Sequence, residues 1–366
     1  MDIDVKIIIA GGGTGGHLFP GVAVAEEFLK RDKKNRILFI GTGKGLEARI
    51  LPNMGFQLRT INVAGVKGKG IAKSISASLK IPWSMFQSLM IVREFSPDIV
   101  VGVGGYASGP TVITAHFMGI KTAIAEQNAI PGVTNRILGR FVNRIFLAFP
   151  ETKSFFPEEK AVVTGNPVRE GFLEEKKISE KTDGTFTLFI FGGSQGAHTI
   201  NKAVVDSLKY LKVIKDRLKI IHQTGESDFK WVVDVYTDYG IDAQVFPFIG
   251  DMAQAFGAAD LLVCRAGATS IAEITASGKA AIFVPFPFAA GDHQTENARV
   301  LTDAGAAEMI QERELSGKLF AEVILRLYRN PEAVSKMEEK SSGFGNISAA
   351  TDIVDECLAL CRGHNA

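Results

Sequence analysis

The sequence lacks several things whose absence narrows its function. Among its 366 residues there is no run of about 20 apolar residues, the length a membrane-spanning helix needs. The N-terminus, Met1-Asp2-Ile3-Asp4, has neither the basic segment nor the long apolar segment of a secretory signal, so the chain is expected to stay in the cytoplasm. Neither sign of charge dominates: 41 Lys and Arg stand against 40 Asp and Glu. No global field draws nucleic acid, and any anion binding must be local. Only three cysteines occur, Cys264, Cys357 and Cys361, with no Cys-x-x-Cys and no histidine at ligand spacing. They read as reduced, mostly buried thiols, with no metal site.

What is present is core material, with 46% hydrophobic and 22% charged residues. That is the balance of a soluble globular protein, and the length suggests two domains. Short β-branched runs alternate with segments of helical period: Val5–Ala10, Arg36–Ile40, Asp98–Val103, Thr122–Ala125 and Arg144–Ala148. The pattern then restarts at Phe186–Phe191, Lys219–His222, Ala243–Phe246, Leu261–Cys264 and Ala280–Val284. Alternation of this kind predicts an α/β protein of two Rossmann-like, doubly wound domains. Thr164-Gly165-Asn166-Pro167 interrupts it, so the expected division is 1–164, 165–345 and a C-terminal helix, 346–366, packing back towards the first domain. Ligands of such sheets bind at the carboxyl ends of the strands, which here would line an interdomain cleft.

The first strand ends in Gly11-Gly12-Gly13-Thr14-Gly15-Gly16. This satisfies Gly-x-Gly-x-x-Gly, but the acidic residue that a dinucleotide site needs at the end of the second strand is missing, because Ile40 runs into Gly41-Thr42-Gly43. The loop therefore favours a phosphate-bearing ligand other than a nicotinamide. His17 follows it directly, ahead of a helix expected to start at Leu18-Phe19-Pro20, and is a candidate general base. A second cluster, Gly102-Val103-Gly104-Gly105-Tyr106-Ala107-Ser108-Gly109-Pro110, also closes a strand, and two such loops suggest a diphosphate or a large polar ligand. Glu126-Gln127-Asn128 closes a third.

In the second half, Arg265-Ala266-Gly267-Ala268-Thr269-Ser270 opens a helix whose N-terminus suits a nucleotide phosphate. Glu273 either accepts from ribose hydroxyls or closes a capping box with Ser270, and the spacing alone fits both. Pro285-Phe286-Pro287-Phe288 and then Asp292-His293-Gln294-Thr295-Glu296-Asn297 set a polar cluster beside an apolar wall, as the reading of sugar hydroxyls requires. Elsewhere, Lys67, Lys69, Lys73 and Lys80 interleave with Ile71, Ile75, Leu79, Trp83 and Phe86. Such spacing fits a core-facing helix or an amphipathic one lying on an anionic membrane.

Six of these segments in order, the two glycine clusters of the first half, Glu126-Gln127-Asn128, Thr164-Gly165-Asn166-Pro167-Val168-Arg169, Gly192-Gly193-Ser194-Gln195-Gly196 and Asp292 to Ala298, resemble the MurG family. These are the bacterial transferases that move N-acetylglucosamine from UDP-N-acetylglucosamine to lipid I in peptidoglycan synthesis. The resemblance runs from about residue 5 to about residue 310. It implies a GT-B fold, UDP-N-acetylglucosamine in the C-terminal half, and the undecaprenyl-diphosphate-linked acceptor in the N-terminal half at the membrane surface.

Carried over by position, Thr14, Gly15, Gly16 and Asn128 would reach the donor from the acceptor side. Arg169 and Ser194 would meet its diphosphate, Ile249 the uracil, Ala268, Thr269, Ser270 and Glu273 the phosphates and ribose, and Gln294 the sugar. The acceptor diphosphate would fall to Gly13, Gly104, Gly105, Tyr106 and Ser108. The reaction implied is an inverting single displacement, with His17 as first candidate for the base and Glu126 as second. No cofactor and no metal are expected, since Asp2-Ile3-Asp4, the sole Asp-x-Asp, precedes the first strand. A UDP-sugar epimerase on the same scaffold is the nearest rival, but would need neither the second glycine loop nor the lysine-aromatic segment.

Overall fold

The computed structural model describes residues 4–43, 45–63, 71–173, 184–193 and 195–362, with the backbone alone for 71–80. The chain forms two compact units, the first comprising Met1–Arg169 and Asn346–Ala366 and the second Glu170–Gly345.

The first unit is built on strands β1 (Lys6–Gly11), β2 (Arg36–Gly41), β3 (Gln57–Thr60), β4 (Ile99–Gly104), β5 (Lys121–Glu126), β6 (Arg144–Leu147) and β7 (Ala161–Val163). Their order is β3-β2-β1-β4-β5-β6-β7 and the pairs are parallel. Helices α1 (Gly15–Arg31), α2 (Glu47–Ile50), α3 (Ile71–Phe95), α4 (Ser108–Phe117) and α5 (Val133–Leu138) make the crossovers. Successive side chains of β1 face opposite ways, as a strand requires. Ile7 and Ile9 enter one core with Val22 and Phe28 of α1, while Ile8 and Ala10 enter the other with Val112 and Ala115 of α4. Each large side chain so buried contributes about 1.5–3 kcal/mol, which explains the unbroken apolar run of a strand covered on both faces.

The second unit repeats the plan with β8 (Phe186–Phe191), β9 (Leu218–Gln223), β10 (Asp242–Phe246), β11 (Leu261–Cys264), β12 (Ala281–Phe283) and β13 (Glu308–Met309), in the order β10-β9-β8-β11-β12-β13. Its helices are α6 (His198–Leu211), α7 (Phe229–Tyr239), α8 (Met252–Ala258), α9 (Ala268–Ala276), α10 (His293–Asp303), α11 (Gly317–Tyr328) and α12 (Pro331–Ser342). Leu188 and Ile190 of β8 pack with Val204 of α6 and Ile324 of α11. The opposite face of β8 is aromatic, Phe189 stacking on Phe191 and both meeting Phe256 of α8. The chain then returns to the first unit with α13 (Ala349–Arg362), whose Ile353, Val354 and Cys357 join the core beneath α1. The ion pairs Arg31–Asp355 and Arg144–Glu356 flank that seam at 3.0 Å, but both are exposed and contribute little beside it.

In both sheets the crossovers reverse direction beside the first strand of the unit, between β1 and β4 and between β8 and β11. Ligands of open α/β sheets bind at that point. Of the four edge strands, β10 was legible as Ala243–Phe246, while β3, β7 and β13, with 4, 3 and 2 residues, are too short to show a pattern. Burial raises the thiol pKa of Cys264 and Cys357 well above the usual range and that of Cys361 to about 11, so none is a ready nucleophile. No described helix is long and apolar enough to cross a membrane.

Candidate active site

In the first unit the loops after β1 and β4 interlock. The Gly12 N–H donates to the Gly104 carbonyl at 3.3 Å, and a Cβ on Gly105 would stand 2.3 Å from the Gly12 oxygen. A Cβ on Gly104 would come within 2.6 Å of His17 Nδ1, so the imidazole packs directly against this glycine. Glycine is required at both positions because their backbones have positive φ and lie in contact.

Helix α1 starts at Gly15, about one turn ahead of the start expected at Leu18-Phe19-Pro20. Thr14 holds the N-cap geometry, and its carbonyl accepts from the N–H groups of His17 and Leu18. His17 therefore sits inside the first turn of the helix rather than ahead of it. Its Nδ1 lies 3.3 Å from Gln127 Oε1, and Gln127 Nε2 donates to the Val103 carbonyl at 3.1 Å. A carbonyl only accepts, so the NH₂ of Gln127 must face Val103 and its oxygen must face His17. Nδ1 then carries the imidazole proton and the basic lone pair lies on Nε2. Gln127, buried under the loop, is the residue that sets this tautomer.

Glu126 is 3% exposed and its carboxylate is surrounded by donors. Oε1 accepts from the N–H and Nδ2 of Asn128, while Oε2 accepts from the Gly132 N–H at 3.0 Å and from Asn135 Nδ2 at 2.9 Å. Four donors occupy both oxygens, an arrangement that suits a carboxylate organising the 126–135 loop and orienting Asn128. Two further expectations change. Ser108 is fully buried, with its hydroxyl filling the space that a side chain on Gly102 would need, so it can meet a diphosphate only through its backbone. The Gly13 N–H is already engaged by the buried carboxylate of Glu47 at 2.7 Å. Tyr106 stands out in solvent, and Arg169 lies over the Phe19 ring at 4.3 Å, against the first turn of α1.

In the second unit the loop after β8 lies flat on the end of β9: a Cβ on Gly196 would stand 1.9 Å from the Thr224 carbonyl oxygen. Ser194 falls outside the described residues. Gln223, buried at the end of β9, donates from Nε2 to the Gly193 carbonyl at 2.9 Å and accepts at Oε1 from the Ile249 N–H at 2.8 Å. One side chain thus couples the glycine loop to the Ile249 turn. Helix α9 begins at Ala268 behind Gly267, with no side chain capping it and no acid in its first turn. Ser270 is inside the helix and Glu273 a turn further on, so the two do not form a capping box. Glu273, nearly buried, helps to raise the Cys264 pKa, after burial itself. The N–H groups of Ala268, Thr269 and Ser270 lie at the positive end of α9, where a helix dipole favours negative charge.

Gln294 is oriented by accepting from the Phe286 N–H at 2.9 Å, and Asn297 Nδ2 reaches back to the Ala266 carbonyl at 3.3 Å. Arg265 binds the Val284 and Pro285 carbonyls, pairs with Glu312 and lies over the Phe286 ring. Its guanidinium braces the wall rather than facing a ligand. Among the described residues no group of three His, Cys, Asp or Glu side chains could hold a metal ion.

The glycosyltransferase family 28 N-terminal domain matches residues 7–147 and the family's C-terminal domain residues 187–357. The chain is 58% identical over 358 residues, 98% of its length and 99% of the relative's, to the UDP-N-acetylglucosamine--N-acetylmuramyl-(pentapeptide) pyrophosphoryl-undecaprenol N-acetylglucosamine transferase of Syntrophus aciditrophicus. The crystal structure of MurG from Acinetobacter baumannii superposes with a TM-score of 0.78 at 32% identity, covering 97% of this chain and 99% of that one. A UDP-GlcNAc 2-epimerase from Neisseria meningitidis, bound to UDP-GlcNAc, also superposes, with a TM-score of 0.68, 97% of this chain and 99% of that chain covered. At 14% identity it shares the fold alone. The fold is GT-B, and the chain belongs to glycosyltransferase family 28 and, within it, to the MurG family.

Proposed function

We propose that this protein transfers N-acetylglucosamine from UDP-N-acetylglucosamine to the 4-hydroxyl of the N-acetylmuramyl unit of undecaprenyl-diphosphate-linked lipid I. The observation that carries the reading is the 58% identity, across nearly the whole of both chains, to a transferase of that name. The acceptor hydroxyl attacks the anomeric carbon, the bond from that carbon to the UDP oxygen breaks with inversion, and the hydroxyl proton passes to Nε2 of His17. The charge left on UDP is met by the uncapped N-terminus of α9, with Arg169 and Ser194 as further partners of the diphosphate. Ile249 contacts the uracil, Glu273 accepts from the ribose hydroxyls, and Gln294 reads the sugar. Thr14, Gly15, Gly16 and Asn128 contact the donor, while Gly104 and Gly105 offer backbone to the acceptor. Glu126 positions Asn128 and does not take the proton.

The test is incubation of the purified chain with labelled UDP-N-acetylglucosamine and a short-chain lipid I analogue. Wild type yields labelled disaccharide product. Glu273→Ala, lacking a charged hydrogen-bond acceptor worth about 1.5–3 kcal/mol, raises the donor KM roughly 10- to 100-fold with the acceptor KM unchanged. Absence of product from wild type would refute the reading, and an unchanged donor KM would remove Glu273 from the site.

The acceptor's lipid calls for a membrane-facing surface, which we place on α3. Trp83, Phe86 and Met90 are 54%, 50% and 55% exposed, and the first two rings stack at 5.6 Å, whereas Ser84, Ser88 and Val92 on the other face are buried. These apolar side chains turn to solvent rather than into the core, which favours the amphipathic alternative. Lys67 and Lys69 lie outside the described residues, and the side chains of Ile71, Lys73, Ile75, Leu79 and Lys80 are likewise not described. On this reading the protein works as a peripheral protein on the cytoplasmic face of the membrane. Wild type is expected to float with phosphatidylglycerol vesicles and to be released by high salt, which screens the lysines. Trp83→Ser, Phe86→Ser and Met90→Ser together should abolish flotation without lowering the melting temperature. Flotation that survives the triple change would place the membrane surface elsewhere.

A further inference from the structure

The carboxylate of Glu47, fully buried, belongs to none of the roles assigned above. Its Oε2 accepts from the Gly13 N–H at 2.7 Å, and its Oε1 accepts from both the N–H and Oγ1 of Thr42 at 2.8 Å. Thr42 follows the end of β2 and Gly13 belongs to the loop that follows β1, so one side chain ties two strand ends together. Space for it exists only because its neighbours lack side chains. A Cβ on Gly12 or Gly41 would lie 2.7 Å from Glu47 atoms, and one on Gly45 2.0 Å. Three glycines, Gly12 after β1, Gly41 at the end of β2 and Gly45 ahead of α2, thus form the walls of a chamber for one carboxylate. In a dinucleotide-binding fold an acid near the end of the second strand faces the ribose. Here that strand end carries no acid, and Glu47, which opens α2 beyond the loop, points at the glycine loop instead.

We infer that Glu47 is the positioning residue of the first glycine loop: by holding the Gly13 amide it fixes the direction of the Thr14–His17 turn and hence the place of the His17 imidazole. A buried carboxylate with three donors is a strong fixed anchor, and a loop anchored at its apex needs no ligand to become ordered. The second unit reaches the same end with a neutral group, since Gln223 at the end of β9 holds the Gly193 carbonyl. The two anchors differ in sign of contact: Glu47 accepts from its loop and Gln223 donates to its loop.

The inference rests on His17 as base and on the acceptor half being the first unit, and its test separates these. Glu47→Gln keeps the shape but can present an oxygen to only one side; with two donors on the Thr42 side, its NH₂ is driven against the Gly13 N–H. In the full-length protein, kcat should fall roughly 10- to 100-fold, the scale of a displaced catalytic group, with donor KM and UDP affinity within about twofold of wild type. Hydrogen exchange should accelerate at residues 11–17 and remain unchanged in the second unit. An unchanged kcat, or faster exchange spread over the whole first unit, would overturn the inference and leave Glu47 an ordinary core contact. If Glu47→Gln does not fold, Thr42→Val decides: with one of the three donors lost, exchange at residues 11–17 should still rise and kcat fall roughly fivefold, the weight of one hydrogen bond. A wild-type exchange pattern there would refute the role. If wild type itself transfers no sugar, the reading of the function fails, while the exchange comparison still judges Glu47.

Discussion

His17→Ala is expected to lower kcat about 100- to 10,000-fold, the range over which a positioned general base contributes, with the donor KM little altered. The acidic limb of the pH profile should disappear with it, because that limb reports protonation of Nε2. The geometry behind this is the chain Val103 carbonyl, Gln127 amide, His17 Nδ1, which leaves the lone pair on Nε2. Glu126→Gln is the companion measurement. Replacing an oxygen with an NH₂ among four donors should loosen the 126–135 loop and slow turnover, but the acidic limb should persist. Should His17→Ala retain near-normal kcat and its acidic limb while Glu126→Gln loses the limb, the base is Glu126. If both variants keep rate and limb, neither is the base.

The second large effect is on stability, and its source is a buried histidine in the second unit. His222 is fully buried, with Nδ1 2.8 Å from the Tyr236 hydroxyl and Nε2 3.0 Å from Asn201 Oδ1. Asn201 Nδ2 donates to the Thr224 carbonyl and to Asp228, so Oδ1 faces His222 and Nε2 carries the proton. Nδ1 then accepts from the Tyr236 hydroxyl, and the neutral ring is satisfied at both nitrogens. Protonation would bury a charge and oppose the Tyr236 donor. Burial accordingly lowers the pKa from 6.5 to about 3.

Between these values the unfolded chain binds the proton and the folded chain does not, so stability increases with pH through this window. It is complete above about pH 6.5 and lost as pH falls towards 3; the shift corresponds to about 5 kcal/mol at about 1.4 kcal/mol per unit, of which about 2 kcal/mol falls between pH 6.5 and 4.5. Asp228, whose pKa is lowered by its hydrogen bonds to Trp231, Asn201 and His198 against the opposing effect of burial, adds a loss of the same sign only below about pH 4. Urea midpoints read from Trp231 in a Trp83→Phe background measure the second unit alone, since the chain has two tryptophans. His222→Gln should flatten the dependence between pH 4.5 and 6.5. A slope in that window identical to wild type would acquit His222.

The elements legible in the sequence are those whose signal is local. The strands at the centres of both sheets are covered on both faces, so burial imposes continuous apolar runs such as Ile7-Ile8-Ile9 and Leu261-Leu262-Val263. The glycine clusters after β1, β4 and β8 are legible because close backbone approach tolerates no Cβ, whatever the partner. Edge strands β3, β7 and β13 escaped because 4, 3 and 2 residues are too few to show a period, whereas the edge strand β10, with 5, was legible. The helical period of α3 shows that it has two faces but not which one meets the core, and the exposure of Trp83, Phe86 and Met90 decides that.

By itself, then, the sequence determined two Rossmann-like units, the loops that carry the site and the family to which they belong, all of them encoded in short stretches of chain. Tertiary structure alone decided what each polar group does. Glu126 turned out to be surrounded by four donors, Ser108 to be buried, Ser270 to lie inside its helix away from a capping position, and the tautomer of His17 to depend on Gln127, 110 positions away. Glu47 was invisible beforehand because nothing in its own segment announces that Gly13, on a different loop, ends beside it. The physical reason is common to all of these: whether a carboxylate, hydroxyl or imidazole can bind or take a proton depends on its hydrogen-bond partners and burial, and those come from residues distant in sequence that only the folded chain brings together.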